Sequence, residues 1–339
     1  MTAGGSLPRY IVQRLLLMLP MIWFLTTMVF FLLRVVPGDP ISAAFGDKIT
    51  EEDKEARREK LGLNEPLWKQ YLDYFGSLLR FDFGHTFRGN KDVLDVIIDK
   101  GGATLTLSIG AFAIALLIGI PLGLLAGRMR DSAFDVFIRI FGIFTYAAPV
   151  FWMGMMLILV VAPTGWPTSQ IANPSTLREV PTVTHVLLFD SILDGNLVAV
   201  VDVLIHHALP CFTLGLLLSG VFIRLVRVNV LQTLKGDYVE AARARGIAES
   251  KVVRHHAFRN ALVPVITVIG LQVALTLSGA VLTETTFGWP GIGNELIKFM
   301  GQRDYGAIQG IVTFIAIMVV LVSLLVDIIN AIIDPRVRY

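Results

Sequence analysis

An all-α integral membrane protein with six transmembrane helices is the fold this sequence predicts, and three observations carry the prediction. Hydrophobic residues make up 54% of the 339-residue chain and charged residues only 17%, with a mean hydropathy of +0.67, against about a quarter charged in an ordinary soluble domain. Six separate stretches are apolar over the roughly 20 residues that a helix needs to cross a hydrocarbon core. The basic residues are divided unequally among the segments that join those stretches. The formal net charge of +2 is too small to suggest a nucleic-acid binder, and the lone Cys211 excludes an intramolecular disulfide framework and any cysteine-rich zinc or iron–sulfur site.

The elements follow in order. Residues 1–14 form a cytoplasmic N-terminus and 15–36 the first span. Arg9 and Arg14 precede it as in a signal peptide, but its apolar core is too long and Pro37-Gly38-Asp39-Pro40 lacks a small-x-small cleavage pattern, so it reads as an uncleaved span. The external loop 37–102 is structured. Thr50 can cap a helix that begins Glu51-Glu52-Asp53, ends with Arg57, Arg58 and Lys60 and stops at Gly62, so its charges oppose the macrodipole at both ends. A second helix begins at Asn64-Glu65-Pro66 and carries Leu67, Trp68, Tyr71, Leu72, Phe75, Leu78 and Leu79 as an apolar stripe. That stripe must lie against the membrane, the spans or a partner; packing over the outer ends of the spans is read ahead of direct partner contact.

The second span is 103–127, followed by a cytoplasmic loop 128–139, and the third is 140–161. The external loop 162–203 is rich in Pro, Thr, Ser and Asn at first, and the sequence leaves its fold open. Then come the fourth span 204–223, a cytoplasmic loop 224–260, the fifth span 261–283, an external loop 284–306, the sixth span 307–326 and a cytoplasmic C-terminus 327–339. Fifteen basic residues fall on the side of the termini against three in the two shorter opposite loops, which places both termini in the cytoplasm. The ten basic residues of loop 37–102 carry little weight, because loops beyond about 60 residues escape the rule.

The loop 224–260 holds most of the functional information. Asp237 can cap a short helix with Glu240 three positions on, resembling a capping box, and Gly246 ends it. The product is two turns, about 12 Å long, and so short a helix needs a surface to dock on. Ala241, Ala242 and Ala244 would let its backbone approach that surface closely, with Glu240, Arg243 and Arg245 around the rim. Gly246 then turns the chain into a second helix, Ala248 to Asn260, that enters the fifth span.

Glu240-Ala241-Ala242-x-x-x-Gly246 resembles the loop by which permease subunits of ATP-binding-cassette importers engage their ATPases, and RHHAFRNALVPVITVIGLQ from Arg254 to Gln272 is similar to the dipeptide/oligopeptide branch of that family. The likeness covers nearly the whole chain. It includes Pro37-Gly38-Asp39-Pro40, Leu61-Gly62-Leu63 with Trp68 and Tyr71, Gly119-Ile120-Pro121-Leu122-Gly123 and Pro149-Val150-Phe151-Trp152. Leu282-Thr283-Glu284-Thr285, Trp289-Pro290-Gly291, Arg303-Asp304-Tyr305 and Asp334-Pro335-Arg336 complete it. One departure stands out: the general motif asks for Ile, Leu and Pro at positions 256, 258 and 259, where this chain has His256, Phe258 and Arg259, with proline only at Pro264. The peptide branch shares this departure, which leaves residues beyond Arg254 without an assigned role.

The resemblance implies a type I importer permease fold with its transport core in 103–333, and the coupling set Asp237, Glu240, Ala241, Ala242, Arg243, Arg245 and Gly246. It implies as partners a second homologous permease, two cytoplasmic ATPase subunits or domains, an extracytoplasmic binding protein and the lipid bilayer, with no nucleic acid. ATP and Mg would be bound by the ATPase partners, with no cofactor or metal in this chain and no catalytic residue. Short peptides are the implied cargo, nickel or another small solute the alternative.

The residues themselves agree on energy supply. No G-x-x-x-x-G-K-[ST] occurs, so a P-loop that would cradle nucleotide phosphates is missing. A stand-alone secondary transporter would be expected to bury ionisable groups near midplane; the candidates Arg34, Glu284 and Asp327 each sit near a predicted span end, where snorkelling explains them. Neither H-E-x-x-H nor G-x-S-x-G is present to suggest a membrane enzyme. His206 and His207, adjacent on a helix, point about 100° apart and read as structural rather than metal-binding. Pro121, Pro149 and Pro264 mark kinks bordering a translocation path, with Trp152 and Gln272 as further lining candidates.

Overall fold

The computed structural model describes residues 7–35, 38–248, 251–252 and 258–333. Among them the chain is all helix apart from turns and one isolated β-bridge between His85 and Asp92. The elements are α1 (Leu7–Val35), α2 (Pro40–Phe45), α3 (Glu51–Lys60), α4 (Leu67–Leu78), α5 (Val93–Arg128), α6 (Ala133–Ala147) and α7 (Val150–Val161). They continue with α8 (Pro174–Glu179), α9 (Leu187–Leu193), α10 (Leu197–Thr233), α11 (Asp237–Ala244), α12 (Phe258–Phe287), α13 (Ile292–Gln302) and α14 (Tyr305–Ile333).

Among the described residues, α1, α5, α10 and α14 are each long and apolar enough to cross a membrane. The fifth predicted span, 261–283, falls inside the 30-residue α12. The third, 140–161, differs from a single straight span: α6 and α7 meet at 108°. Pro149 is the cause. It has no N–H to give the i−4 carbonyl, and its ring drives Ala148 out of the helical region to φ −70°, ψ 134°, so the helix ends and a new one begins with Pro149 as its N-cap. Pro121, by contrast, interrupts nothing: α5 runs through it to Arg128.

The centre of the molecule is the pairing of α5 with α10. On α5 the buried positions recur every fourth residue, Ala103, Leu107, Ala111, Ala115, Gly119, Gly123 and Gly127. Small side chains there let the two backbones close up, and the fit is tight enough that a methyl group on Gly123 would stand 2.7 Å from Val226 Cβ and 2.8 Å from the Ile223 carbonyl oxygen. Lipid tails are as apolar as leucine, so close van der Waals packing of this small-xxx-small kind holds membrane helices together where the hydrophobic effect does not. Around this pair lie α6, α7 and α12, while α1 packs on α14.

The segment 38–92 folds as the sequence predicts at α3. Thr50 Oγ1 accepts from the Asp53 N–H at 3.1 Å, and Gly62, at φ +64°, closes the other end as a Schellman motif through Gly62 N–H to Glu59 O and Leu63 N–H to Arg58 O. Asp39 caps α2 through the Ser42 N–H and receives two hydrogen bonds from Arg58, tying α2 to α3. The stripe on α4 divides: Tyr71 turns to α1, beside Tyr74, which lies outside the predicted stripe and meets α14, while Leu67, Trp68, Leu72 and Leu79 stay exposed. The segment 162–203 is ordered by two aspartates. Asp202 accepts from Asn173 and Thr176, and Asp190 from the Thr184 N–H and hydroxyl.

Candidate functional site

The predicted cytoplasmic helix is present as α11, with its register moved by one residue. Gly236 is the N-cap and Asp237 the first helical residue, so the expected pairing of Asp237 as cap with Glu240 does not form. Both carboxylates remain useful, because they lie in the first turn with Arg243 in the last, which suits the macrodipole. At the other end Gly246, at φ +71°, donates to Arg243 O at 2.9 Å and Ile247 N–H reaches Ala242 O, a second Schellman motif. A side chain on Gly246 would meet nothing within 4 Å, so this position demands its conformation and not its small size.

Val239 and Ala242 are buried, packed with Val252 against Leu234 and Ile247. Ala242 is therefore a seat of α11 on its own chain, which corrects its assignment to the docking face. Ala241, Ala244, Glu240, Arg243 and Arg245 form the exposed side, with Tyr238 half-exposed beside them. Leu234 belongs to two clusters at once, since it also packs against the core built on Val226 and Val230 of α10. Upstream, the Arg227 guanidinium holds the Asp135 carboxylate by two bonds of 2.7 and 2.8 Å, and Asp135 is wholly buried. Of the second predicted helix, 248–260, only the fragments at 248, 251–252 and 258–260 are described; 254–257 and the terminal motif 334–336 lie outside the described residues.

The four path candidates do not converge. Pro121 is on the exposed side of α5, Pro149 is the exposed break, Trp152 stands edge-on to Phe144 at 6.4 Å across that break, and Gln272 is buried. A groove of about 760 Å³ lies elsewhere, between α5, α12 and α14, lined by residues that include Leu105, Ile109, Phe112, Thr276 and Met318. Its walls are almost wholly apolar.

Glu284 corrects the snorkelling expectation. It is fully buried at the top of that groove, where Oε1 accepts from Thr104 Oγ1 at 2.7 Å and Oε2 from the Asn294 N–H at 2.9 Å. Gly291 and Gly293 leave it room, since a Cβ on either would run into the carboxylate. The carboxylate thus caps α13 from outside that helix, and Trp289, also buried, donates from Nε1 to Ala103 O. The other two ionisable candidates are paired as well: Arg14 meets Asp327 at 3.2 Å, and Arg34 reaches Gln309 and Gln70. Asp304 is a further buried carboxylate, accepting from Phe87 N–H, Arg88 N–H and Ala307 N–H. Sequence reasoning gave it no role, although an Asp immediately before a helix is the usual cap signal. His206 and His207 are held by backbone carbonyls, and among the described residues no group of three potential metal ligands occurs.

Comparison with known proteins completes the description. Residues 119–339 match the family model described as binding-protein-dependent transport system inner membrane component, and residues 7–108 match the corresponding N-terminal model. The dipeptide transport system permease protein DppB of Escherichia coli K12 is 37% identical over 98% of this chain and 99% of its own length. The di/tripeptide transport system permease protein DppB of Pseudomonas aeruginosa is 37% identical over 97% and 98%, and the oligopeptide transport system permease protein AppB of Bacillus subtilis 35% identical over 97% and 99%.

Proposed function

Since this chain belongs to the family of binding-protein-dependent transport system inner membrane components, we propose that it is the permease subunit of an ATP-driven importer of short peptides. Three relatives of nearly equal length carry dipeptide, di/tripeptide and oligopeptide in their names, which favours peptide cargo over nickel. The role is non-catalytic and sits in the inner membrane. ATP and Mg belong to separate ATPase subunits, and a second permease and an external binding protein complete the assembly. Both termini face the cytoplasm and the path crosses six spans, in keeping with the basic-residue bias and the apolar helices.

The observation that carries the mechanism is the double contact of Leu234. Through it, displacement of α11 by an ATPase pushes on the end of α10, and α10 is locked along its length to α5. Alternating access then follows from rotation of the α5–α10 unit as the ATPases close on ATP and part again. The exposed side of α11, with Ala241 at its centre, is the docking face.

Ala241→Trp tests this reading. Ala241 is exposed, so the ring adds bulk only on the outer side. The variant is expected to insert and reach wild-type levels while losing ATPase pull-down and peptide uptake by at least tenfold. Wild-type values in both assays would remove α11 from the coupling role.

A further inference from the structure

We propose that α4, in the external loop, is embedded in the outer leaflet of the membrane, with the flank formed by Trp68, Leu72, Phe75 and Leu79 against lipid acyl chains. This goes beyond the transport reading and rests on the chain's being an integral membrane protein with the orientation proposed above.

Two polar contacts between α1 and α14 serve as depth marks. Arg14 pairs with Asp327 at one end, and Arg34 bonds Gln309 at 3.0 Å at the other. No charged residue lies between Arg14 and Arg34, or between Gln309 and Asp327. The separations, 20 and 18 residues, correspond to about 30 and 27 Å of helix, matching a hydrocarbon core of about 30 Å. The Arg34–Gln309 level is thus the outer edge of the core.

α4 hangs from that edge inward. Gln70 bonds Arg34 at the edge itself. Tyr71 meets Thr27 at 2.8 Å, seven residues down α1, and Tyr74 meets Thr313 at 2.8 Å, four residues down α14, which is about 10 and 6 Å below the edge. Past the helix end, Phe83 packs edge-on against Phe314 at 5.7 Å, so the far end is held down as well.

The faces of α4 agree with this depth. At 100° per residue, Tyr71, Tyr74 and Leu78 share the side toward α1 and α14, while Lys69 and Asp73 share the opposite side. Trp68, Leu72, Phe75 and Leu79 run i, i+4, i+7, i+11 along the flank between them, and Trp68, Leu72 and Leu79 are 66%, 58% and 74% exposed. Phe31 of α1, half-exposed, stacks on Tyr71 at 6.0 Å, which makes this flank continuous with the exposed apolar surface of α1. A soluble partner arriving from outside meets the charged side, not this flank. An amphipathic helix with Trp at the boundary and its apolar side in the acyl region is an interfacial lipid-binding element.

The test uses the full chain, isolated with its native assembly and placed in nanodiscs. In a Cys211→Ala background, Leu72→Cys, Leu79→Cys and Asp73→Cys are labelled with an environment-sensitive fluorophore. Lipids carrying a nitroxide high on the acyl chain are expected to quench the probes at 72 and 79 at least threefold more than the probe at 73, with aqueous iodide showing the reverse order. Equal iodide quenching at all three positions would overturn the proposal in favour of a solvated helix. Protection of 72 and 79 from both quenchers would overturn it in favour of a protein partner. Peptide uptake measured on the same samples reads the transport assignment separately.

Discussion

Asp39, Glu284 and Asp304 show how much of the recognisable sequence pattern is spent on holding helix ends. Glu284 and Asp304 are buried and Asp39 partly so, each accepts from a backbone N–H at a helix start, and each ties that start to a distant segment. Asp39 has a measurable signature. The two bonds from Arg58 hold its carboxyl well below the usual carboxylate range, against the opposing effect of burial, with the Ser42 contacts helping. A carboxyl whose folded value is depressed contributes stability that is present above the ordinary Asp value of about 4 and is lost as pH falls below it. Acidification below about pH 4 is therefore expected to weaken the tie between α2 and α3 progressively, the loss being complete only at the much lower folded value, while Asp39→Asn should show raised protease cleavage between residues 45 and 60 already at neutral pH. Asp39→Asn cleaved no faster than the wild type at neutral pH would argue that Asp39 does not hold this joint.

At the scale of elements, sequence reading succeeded where the signal was local and stopped where it depended on what faces the element. The cap and stop of α3 were legible because Thr50, the acidic first turn and Gly62 act within one helix. The break at Pro149 was visible as a kink but not as a turn of 108°, since its size is set by how α6 and α7 pack on α10 and α12. Ala242 was placed on the wrong side of α11 because its partners, Leu234, Ile247 and Val252, come from outside the helix. The glycines of α5 tell the same story: Gly119-x-x-x-Gly123 stands in the sequence as part of the family resemblance, and in the structure it is a close approach to α10, with Pro121 between the two glycines turned to the exposed side. Gly123→Ile should accordingly lower the melting temperature of the purified protein strongly, since overpacking of this kind costs about 1–3 kcal/mol or more. Gly76→Ala on α4 is the matched control. Nothing stands within 4 Å of its added methyl, and helix propensity favours it by roughly 0.5–1 kcal/mol. A Gly123→Ile protein as stable as wild type would mean that α5 and α10 are not packed this tightly in the membrane.

For the molecule as a whole, the question is how movement at α11 reaches the groove between α5, α12 and α14, and the buried pair of Asp135 with Arg227 lies on the way. Arg227 sits two turns before the end of α10, and Asp135 in the first turn of α6, itself capped by Ser132, so the pair joins the end of one helix to the start of another that stays packed on it through Ile138 and Gly142. In the proposed mechanism Leu234, packed on both α11 and α10, would pass a push on α11 into α10, and the pair would share it with α6, which leads to the bend at Pro149. Removing one member of a buried pair leaves its partner charged and uncompensated, a loss of about 3–5 kcal/mol, whereas exchanging the two charges keeps the attraction. Asp135→Ala is thus expected to lower both the melting temperature and peptide uptake. The exchanged double variant, Asp135→Arg with Arg227→Asp, should recover part of the stability, because Arg139, 3.6 Å from the Asp135 carboxylate, then faces a like charge, and its uptake reports on geometry. The longer arginine on α6 cannot reproduce the two-bond contact that fixes α6 against α10, so uptake should stay well below wild type while pull-down of the ATPases, which depends on the exposed side of α11, remains intact. Full recovery of uptake with stability would reduce the pair to a structural tie, and loss of pull-down would place the fault in α11.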